Sequence, residues 1–490
     1  MTIPFLITAT LAGAISQGLA SPSQPPPTAA AALAGELALV AGVDEARAQR
    51  HVRELVKLGP RMGGTSSGER AAAWLERAFS AAGLSVEVFE DSPRWCHGDE
   101  SWKVTLISGP EQEVLTGAWP WGFSPASSGE APLTLELTSA TPQALLATRP
   151  PARQRRGAAS DTSAPTPAVV LVDGDTTLDG AYPVLQHLRA GGDNPYPVFG
   201  ISRPTGQRLR AALASGAQVA LRWSLETTIK RAAPRTVVAS IPAREPAADA
   251  PQAAAERRGH ILFCAHGDSD AGGPGADDNA SGEAVLLEIA SSWAAAIRAG
   301  KAPAPAREVR FAVWGSEIHS SGDYRKRCEK NGQTILAVIN YDQAGYGSGA
   351  DQLNLEPDDL AANVPLIRAC LAVLADYRGH AGFPARWATN KSLGGTDSYV
   401  FSSSRSFRRG ARPALTLFTS AWGRPETHPR TAGMPGHSWE DNDRVTVDYD
   451  NYYHSAGDTP ENTTDREPWN MGWCARVGLL GAQRWLETLP

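Results

Sequence analysis

The stretch HILFCAHGDS (260–269) decides the fold. An apolar run ends there in a histidine and an aspartate, and a helical pattern, EAVLLEIASSWAAAIRAG (283–300), follows it. Two further apolar runs, EVRFAVW (308–314) and ILAVINYD (335–342), come next along the chain, separated from each other by a polar stretch. Apolar strands that alternate with amphipathic helices predict an α/β fold with a mostly parallel central sheet flanked by helices.

Polar side chains follow these strands at the points where each strand ends. In an open parallel sheet, ligands bind beyond the carboxyl ends of the strands. Any one histidine or aspartate in such a loop is commonly a plain structural residue, but several strand ends here deliver an imidazole or a carboxylate. The residues are His266, Asp268, Asp278, Glu317, Asp342 and, in NYYHSAGDT near the end of the chain, His454. Their convergence predicts a metal or acid–base site at this edge.

Five ordered motifs carry a resemblance to a known family. AHGDS, GADDNASGEAVLLEIA, VRFAVWGSE, INYDQAG and YYHSAGDTPEN resemble the motifs of the co-catalytic zinc aminopeptidases, metallopeptidase family 28, whose members include secreted bacterial aminopeptidases and glutamate carboxypeptidase. The resemblance covers about residues 235–490, and LGPRMGGTSSGERAAAWLERAF (58–79) matches the family's opening helices. It implies an exported zinc-dependent exopeptidase, an aminopeptidase, that hydrolyses peptide substrates with metal-activated water.

The resemblance also implies roles for individual residues. The implied zinc ligands are His266, Asp278, Glu317, Asp342 and His454. His266 and Asp342 would bind one zinc ion, His454 would bind the other, and Asp278 would bridge the two. Asp268 would orient the metal-binding imidazole, and together with Glu317 it makes up the predicted catalytic pair. Oxygen and imidazole donors without a thiolate suit Zn²⁺, so one or two zinc ions per chain are expected.

One departure from the family leaves the role of Glu317 open. The family has two adjacent acids after this strand, the first a general base and the second a zinc ligand, whereas WGSEIHSSGD (314–323) offers only Glu317. Counting from the start of the motif makes it the base, and counting back from the end makes it the ligand. If it is the base, the second zinc has only Asp278 and His454, unless His319 contributes.

A second departure lies in GGTDSYVF (394–401). Where the family often has Ser-Asp-His, this chain keeps Asp397 but has Ser398 in place of the histidine. Asp397 is therefore a candidate for an acid that supports the metal site or contacts the substrate.

Changes in composition divide the chain into segments. We predict a β-rich inserted domain that resembles a protease-associated domain, preceded and followed by parts of the peptidase domain. The predicted segments are a signal peptide (1–20), a disordered Pro/Ala tether (21–35), the first part of the peptidase domain (36–104), the inserted domain (105–232) and the main part of the peptidase domain (233–490).

Charge, hydropathy and cysteine usage exclude several classes of protein. The chain has 46 basic and 52 acidic residues, a net charge of -6 and no basic block, which argues against a nucleic-acid partner. No stretch reaches the roughly 18 apolar residues of a membrane helix. The five cysteines are scattered, which excludes a zinc ribbon. The predicted signal peptide implies a secreted or periplasmic protein, in which a disulfide could form.

Two other functions remain open at this stage. Glutaminyl cyclases share the fold and use a single zinc for acyl transfer, and a non-catalytic binding protein could use the same scaffold. The missing second acid favours a binding protein, whereas the otherwise intact ligand set argues against it. The sequence leaves open whether an exopeptidase would act at the amino or the carboxyl end, and it does not indicate an oligomeric state.

Overall fold

The computed structural model defines most of the chain. The described residues are 29–138, 142–151, 165–244, 259–269, 272–347, 352–390, 392, 394–402, 411–419, 431–432 and 451–489. The predicted signal peptide, 1–20, lies outside them. Within the described residues, every helix is too short or too polar to cross a membrane.

The described chain begins with three helices and eight strands, and helices and strands are interspersed after them. The helices are α1 (Ala29–Val40), α2 (Glu45–Val56), α3 (Ser66–Ala81), α4 (Arg203–Ala214), α5 (Gly282–Arg298), α6 (His319–Lys330), α7 (Val364–Asp376), α8 (Asp397–Ser402) and α9 (Asn470–Glu487). The strands are β1 (Ser85–Glu90), β2 (Arg94–Ser108), β3 (Glu111–Val114), β4 (Trp119–Pro120), β5 (Ser127–Thr134), β6 (Ala144–Ala147), β7 (Val169–Val172), β8 (Val198–Gly200), β9 (Ala220–Ala232), β10 (Arg235–Ile241), β11 (His260–His266), β12 (Glu308–Trp314), β13 (Ile335–Tyr341), β14 (Gln352–Pro357), β15 (Arg386–Thr389) and β16 (Ala414–Phe418).

The central sheet has its parallel strands in the middle. Its order is β1-β10-β12-β11-β13-β16-β14-β15, and the pairs β12-β11, β11-β13 and β13-β16 are parallel. The pairs β1-β10, β10-β12 and β14-β16 are antiparallel, so the sheet is mixed, as in a mixed α/β fold. Every residue of β11 is buried, which explains its continuous apolar run, because a central strand has a covered layer on both faces.

Helices cover the two faces of this sheet. Ile261 and Phe263 of β11 belong to the main hydrophobic core, together with α5, α7 and α9. Leu262 and Cys264, which point the other way, pack in a second core with residues of α6 and α8. The strand ends that carry the predicted site are thus held between two helical layers.

A second sheet is built from the segment between β1 and β10. Its order is β3-β2-β9-β5-β6-β7-β8-β4, and we call residues 94–232 the insert region. The predicted boundary at 104/105 cuts through β2, which runs unbroken from Arg94 and pairs with β9 as far as Ala232. Polar residues at the start of β2 hide this continuity in the sequence. The resemblance of the insert region to a protease-associated domain stays a prediction.

Helical structure begins earlier than expected. Residues 21–35 were predicted to be a disordered tether, but α1 begins at Ala29. Alanine has the highest helix propensity, and tertiary contact supports the helix, since Ser292 Oγ of α5 donates a hydrogen bond to the carbonyl of Leu39 at 2.7 Å. An alanine-rich segment therefore folds once another element packs against it.

The five cysteines are all buried and unpaired. The disulfide that an exported protein could have formed is therefore absent from this structure.

Candidate metal centre

The register of the parallel strands brings two predicted ligands to one edge. Cys264 of β11 pairs with Asn340 of β13, so two residues later His266 and Asp342 lie side by side. His266 also pairs with Trp314, the last residue of β12. The strand pairing therefore places the loop that follows Trp314 next to the same two side chains.

His266, Asp278 and Asp342 form a compact, buried cluster. His266 Nε2 lies 3.1 Å from Asp278 Oδ1 and 3.5 Å from Asp342 Oδ1. One donor atom from each of the three residues lies within 4.8 Å of the others, the only such group of three or more found among the described residues. On the other side, His454 Nε2 lies 3.2 Å from Asp278 Oδ2. The two oxygens of Asp278 thus face two different imidazoles.

This donor set fits a metal ion. Asp278 Oδ1 and Asp342 Oδ1 are buried and accept no hydrogen bond from any described group, although buried carboxylate oxygens are normally bonded. Both atoms converge on His266 Nε2. Carboxylate oxygen and imidazole nitrogen are the ligands zinc takes when no thiolate is present.

The electrostatics of the cluster point the same way. Burial lowers the pKa of His266, but the carboxylates of Asp268, Asp278 and Asp342 outweigh it and raise that pKa well above its usual value. Burial tends to raise the pKa of Asp278, but the two facing imidazoles hold it well below the ordinary range. The carboxylates here outnumber the positive partners, so a bound cation would lower the energy of the site.

The loop that carries Asp278 is held by a buried arginine from the opening segment. The Arg61 guanidinium donates to the carbonyls of Pro274 at 3.1 Å and Gly275 at 2.7 Å. It also lies 3.3 Å from Glu283, and both side chains are fully buried. Gly282 lies at the end of this loop, directly before Glu283. A Cβ atom at this position would come within 2.4 Å of Asn279 Oδ1, so only glycine fits. Sequence reasoning missed Arg61 and Glu283, because nothing local links residues so far apart.

Asp458 also supports this loop. Its Oδ1 accepts the backbone N–H of Asp277 at 2.8 Å, and its Oδ2 accepts that of Asp278 at 3.0 Å. Asp277 itself points away from the metal cluster and accepts the backbone N–H of Gly345 at 2.7 Å. The sequence did contain a signal for Asp458. It is the acid of the motif HSAGD, four residues after the predicted ligand His454.

Asp268 links His266 to the loop that carries Glu317. The Asp268 carbonyl lies 2.9 Å from His266 Nδ1, and its carboxylate lies 3.4 Å from the same atom. Its Oδ1 accepts the backbone N–H of Glu317 at 2.8 Å. Asp268 is therefore placed to orient the imidazole and to hold the strand-end loop at the same time.

Glu317 lies beside the cluster and does not belong to the group of three. Burial, with the nearby charges of Asp342 and Asp397, raises the pKa of Glu317 well above its usual value, against the lowering effect of His266. The next position holds Ile318, whose side chain is 43% exposed and offers no ligand. No second acid stands where the family has one.

Two further residues named in the sequence analysis take supporting positions. Asp397 is fully buried and accepts the backbone N–H of Ile318 at 2.8 Å and the Ser321 hydroxyl at 2.5 Å, so it stabilises the Glu317–Ile318 turn. His319 is turned aside, with Nε2 at 2.8 Å from the carbonyl of Ser92.

His454 reaches the cluster from a loop that the insert region holds. Leu185 N donates to the carbonyl of His454 at 2.7 Å, and Ala456 N donates to the carbonyl of Pro183 at 3.0 Å. Val184 and Ser455 form an antiparallel pair between these two bonds. We call this contact of residues 183–185 with the His454 loop the 183–185 bridge. The backbone of His454 has a φ of 50°, a left-handed conformation uncommon for a histidine.

The chain is similar to known peptidases. Residues 247–477 match peptidase family M28. An aminopeptidase of Pseudomonas aeruginosa strain UCBPP-PA14 is 35% identical over 97 residues, which make up 18% of this chain and 17% of that protein. The match thus spans about a sixth of the length of this curated relative.

Solved structures have a similar fold. A zinc aminopeptidase from Bacillus subtilis has a TM-score of 0.56 at 18% identity and matches 90% of this chain and 95% of its own. A peptidase M28 precursor from Shewanella amazonensis SB2B has a TM-score of 0.58 at 18% identity and matches 93% of this chain and 97% of its own. The segment 247–477, just under half of the chain, thus matches peptidase family M28, and the fold is similar to that of an M28 peptidase precursor.

Proposed function

We propose that the chain is an exported zinc-dependent exopeptidase that removes residues from the amino ends of peptides. The observation that carries the proposal is the position of Asp278, whose two carboxylate oxygens lie 3.1 and 3.2 Å from the imidazoles of His266 and His454. A buried carboxylate whose two oxygens face two different imidazoles is suited to hold two neighbouring metal ions, because carboxylate oxygen and imidazole nitrogen are both zinc ligands.

Four side chains would hold the metal in this proposal. His266 and Asp342 would bind one zinc ion, His454 would bind the other, and Asp278 would help to hold both. Zinc bound there would polarise the carbonyl of the scissile bond and make water acidic enough to lose a proton near neutral pH. Asp342 is positioned for this by the Thr396 hydroxyl, which donates to its Oδ2 at 2.7 Å.

Glu317 is the group we assign to proton transfer. It follows the end of the strand next to His266, lines a cavity together with Asp268, and lies outside the group of three donors. It would take the proton of the attacking water and pass it to the leaving amine. Asp268 acts through other residues, since it fixes the His266 ring and the backbone N–H of Glu317, and is therefore a positioning residue.

Action at the amino end is supported by the named relatives. The relatives from Pseudomonas aeruginosa and Bacillus subtilis are described as aminopeptidases. The test uses peptides with free and blocked ends. Hydrolysis that requires a free amino end supports the proposal, and hydrolysis that requires a free carboxyl end contradicts it.

The decisive experiment combines metal analysis with product analysis. We expect between one and two zinc ions per purified chain and hydrolysis of aminoacyl reporter substrates that chelation removes. Cyclised product from a peptide with an N-terminal glutamine, without hydrolysis, would instead indicate an acyl transferase. Bound zinc with no turnover of either substrate would indicate a binding protein. Hydrolysis by metal-free protein would refute the zinc assignment.

Export is proposed from the sequence alone. Residues 1–20 contain an apolar run that ends in Gly18-Leu19-Ala20, a pattern typical of a cleaved signal peptide. Recovery of a chain shortened by about twenty residues from the periplasm or culture medium would support a secreted or periplasmic location. A full-length chain that stays in the cytoplasm would contradict it.

A further inference from the structure

A cavity of about 1130 Å³ lies between the insert region and the carboxyl edge of the central sheet. Asp268, Glu317 and Ile318 line it on the side of the metal centre. Trp95 and Leu188 are among the residues that line it from the insert region. Pockets for drug-sized ligands measure roughly 300–1,000 Å³, so this space accommodates a peptide of a few residues.

The two sides of the cavity differ in their ionisable groups. The metal side presents the two acids just named. The insert side presents Arg149 and Arg189 against the single acid Asp175, and Arg94 reaches from the insert region to the metal side. The amino end of a bound peptide must approach the metal centre, where the scissile bond is cut, so its carboxyl end points towards Arg149 and Arg189.

Arg94 and Arg189 are held in different ways. The Arg94 guanidinium donates to the hydroxyl of Ser316, the residue before Glu317, so it is tied to the metal side of the cavity. Arg189 lies 3.3 Å from Asp193 in an exposed pair. Such surface pairs contribute little, so this guanidinium can exchange partners at small cost.

We propose that the insert region selects short peptides by a carboxylate that lies a few residues beyond the scissile bond. The carboxylate is either the free carboxyl terminus or an acidic side chain. A guanidinium forms two parallel charge-assisted hydrogen bonds with a carboxylate, which a neutral amide cannot match. The proposal rests on the proposed peptidase function, because that function sets the direction of the bound peptide.

The first experiment compares three tripeptides on the zinc-loaded full chain. The peptides share the first two residues and carry a neutral third residue with a free carboxyl end, the same residue as an amide, or an aspartate as an amide. We expect the KM of the neutral amide to be roughly ten-fold or more above that of the free peptide. Recovery with the aspartyl amide would show that a side-chain carboxylate is also accepted, and no recovery would restrict selection to the terminus.

The second experiment locates the selection. Arg94→Gln, Arg149→Gln and Arg189→Gln are compared with Arg222→Gln, whose arginine pairs with Glu130 at 2.8 Å elsewhere in the insert region. At least one of the three cavity variants should bring the kcat/KM ratio between free and amidated peptide close to one, while Arg222→Gln keeps the ratio. Circular dichroism melts show whether each variant is folded.

Two results would overturn the proposal. One is equal kcat/KM for free and amidated peptides in the unmodified chain, and the other is an unchanged ratio in all three folded cavity variants. If no peptide is hydrolysed at all, the proposed peptidase function fails. Calorimetric binding of the same peptides then still tests whether the chain selects peptides by their carboxylate. Tighter binding of the free peptide would then support carboxylate selection, and equal binding would refute it.

Discussion

The two halves of the candidate metal centre are built in different ways. His266 and Asp342 end two neighbouring parallel strands, and both are buried between helical layers. His454 stands on a loop, its side chain is 29% exposed, and its backbone adopts a left-handed conformation. The first half is therefore set by the sheet itself, whereas the second half depends on a contact made by the insert region.

The 183–185 bridge helps to keep His454 in place. A non-glycine residue with positive φ persists only where the surroundings compensate its cost. Here the bond from Leu185 N to the His454 carbonyl, 2.7 Å long, supplies part of that compensation. Binding of the second zinc should therefore be more sensitive to the insert region than binding of the first.

Removal of the sheet-borne imidazole should have the largest effect. His266→Ala takes away the nitrogen around which both carboxylates converge, so we expect loss of zinc and hydrolysis at background level. Zinc content by mass spectrometry and reporter turnover measure this. His260→Gln, at the opposite end of the same strand, is the control, because His260 contacts Tyr324 and is not part of the cluster. Normal zinc content in His266→Ala would refute the ligand assignment.

Replacement of the acid beside the cluster should come next. Glu317→Gln keeps the size of the side chain and removes its ability to accept a proton, so kcat should fall by roughly 10²–10⁴ with zinc content unchanged. A fall in zinc content as well would make Glu317 a ligand. Unchanged turnover with unchanged zinc would deprive Glu317 of any role and refute most of the proposed mechanism.

A break in the 183–185 bridge should weaken zinc binding only in the half of the metal centre that contains His454. Leu185→Pro removes the N–H that His454 accepts, and loss of such a supporting partner typically weakens metal affinity roughly ten- to a hundred-fold. Leu185→Ala is the matched control, because it loses the same packing but keeps the N–H. Zinc titration should show weaker binding at one site in the proline variant alone. Equal titrations for the two variants would contradict the comparison.

The smallest effect should come from an added acid in the half of the metal centre that contains His454. Ile318→Glu restores an acid after Glu317, at a position that is 43% exposed and has a φ of 58°. We expect a few-fold tighter binding of the second zinc and no loss of stability, since a β-branched residue is strained in this conformation. Ile318→Gln controls for size without charge. Equal zinc affinity in both variants would contradict the view that the second zinc site lacks an acidic ligand at position 318.

The central strands and the polar residues at their ends could be predicted from the sequence, because both depend on local pattern. The largely apolar runs of β11, β12 and β13 are visible in the sequence because these central strands are mostly buried. Their polar ends predicted a cluster, and the structure brings His266, Asp278 and Asp342 within reach of one ion. The ligand and catalytic roles of these residues stay predictions until metal binding and turnover are measured.

What the sequence did not predict depends on long-range packing. The bond between Leu185 and His454, like the bonds from Arg61 to the loop before Asp278, joins segments about two hundred or more residues apart, and no periodicity reports such a contact. The antiparallel outer strands and the start of β2 at Arg94 were missed for the same reason. Pairing partners, more than propensity, decide where these strands lie.

The buried cysteines have a consequence for how the folded chain meets thiol reagents. Burial raises the pKa of Cys328 to about 11 and that of Cys370 to about 12. Because the thiolate is the reactive form, alkylating agents and oxidants should reach these sulfurs only when the surrounding layer opens. Cys328 lies in α6 and Cys370 in α7, on opposite faces of the central sheet. The rate at which each is alkylated would thus report the local opening of its own helical layer, without any introduced probe.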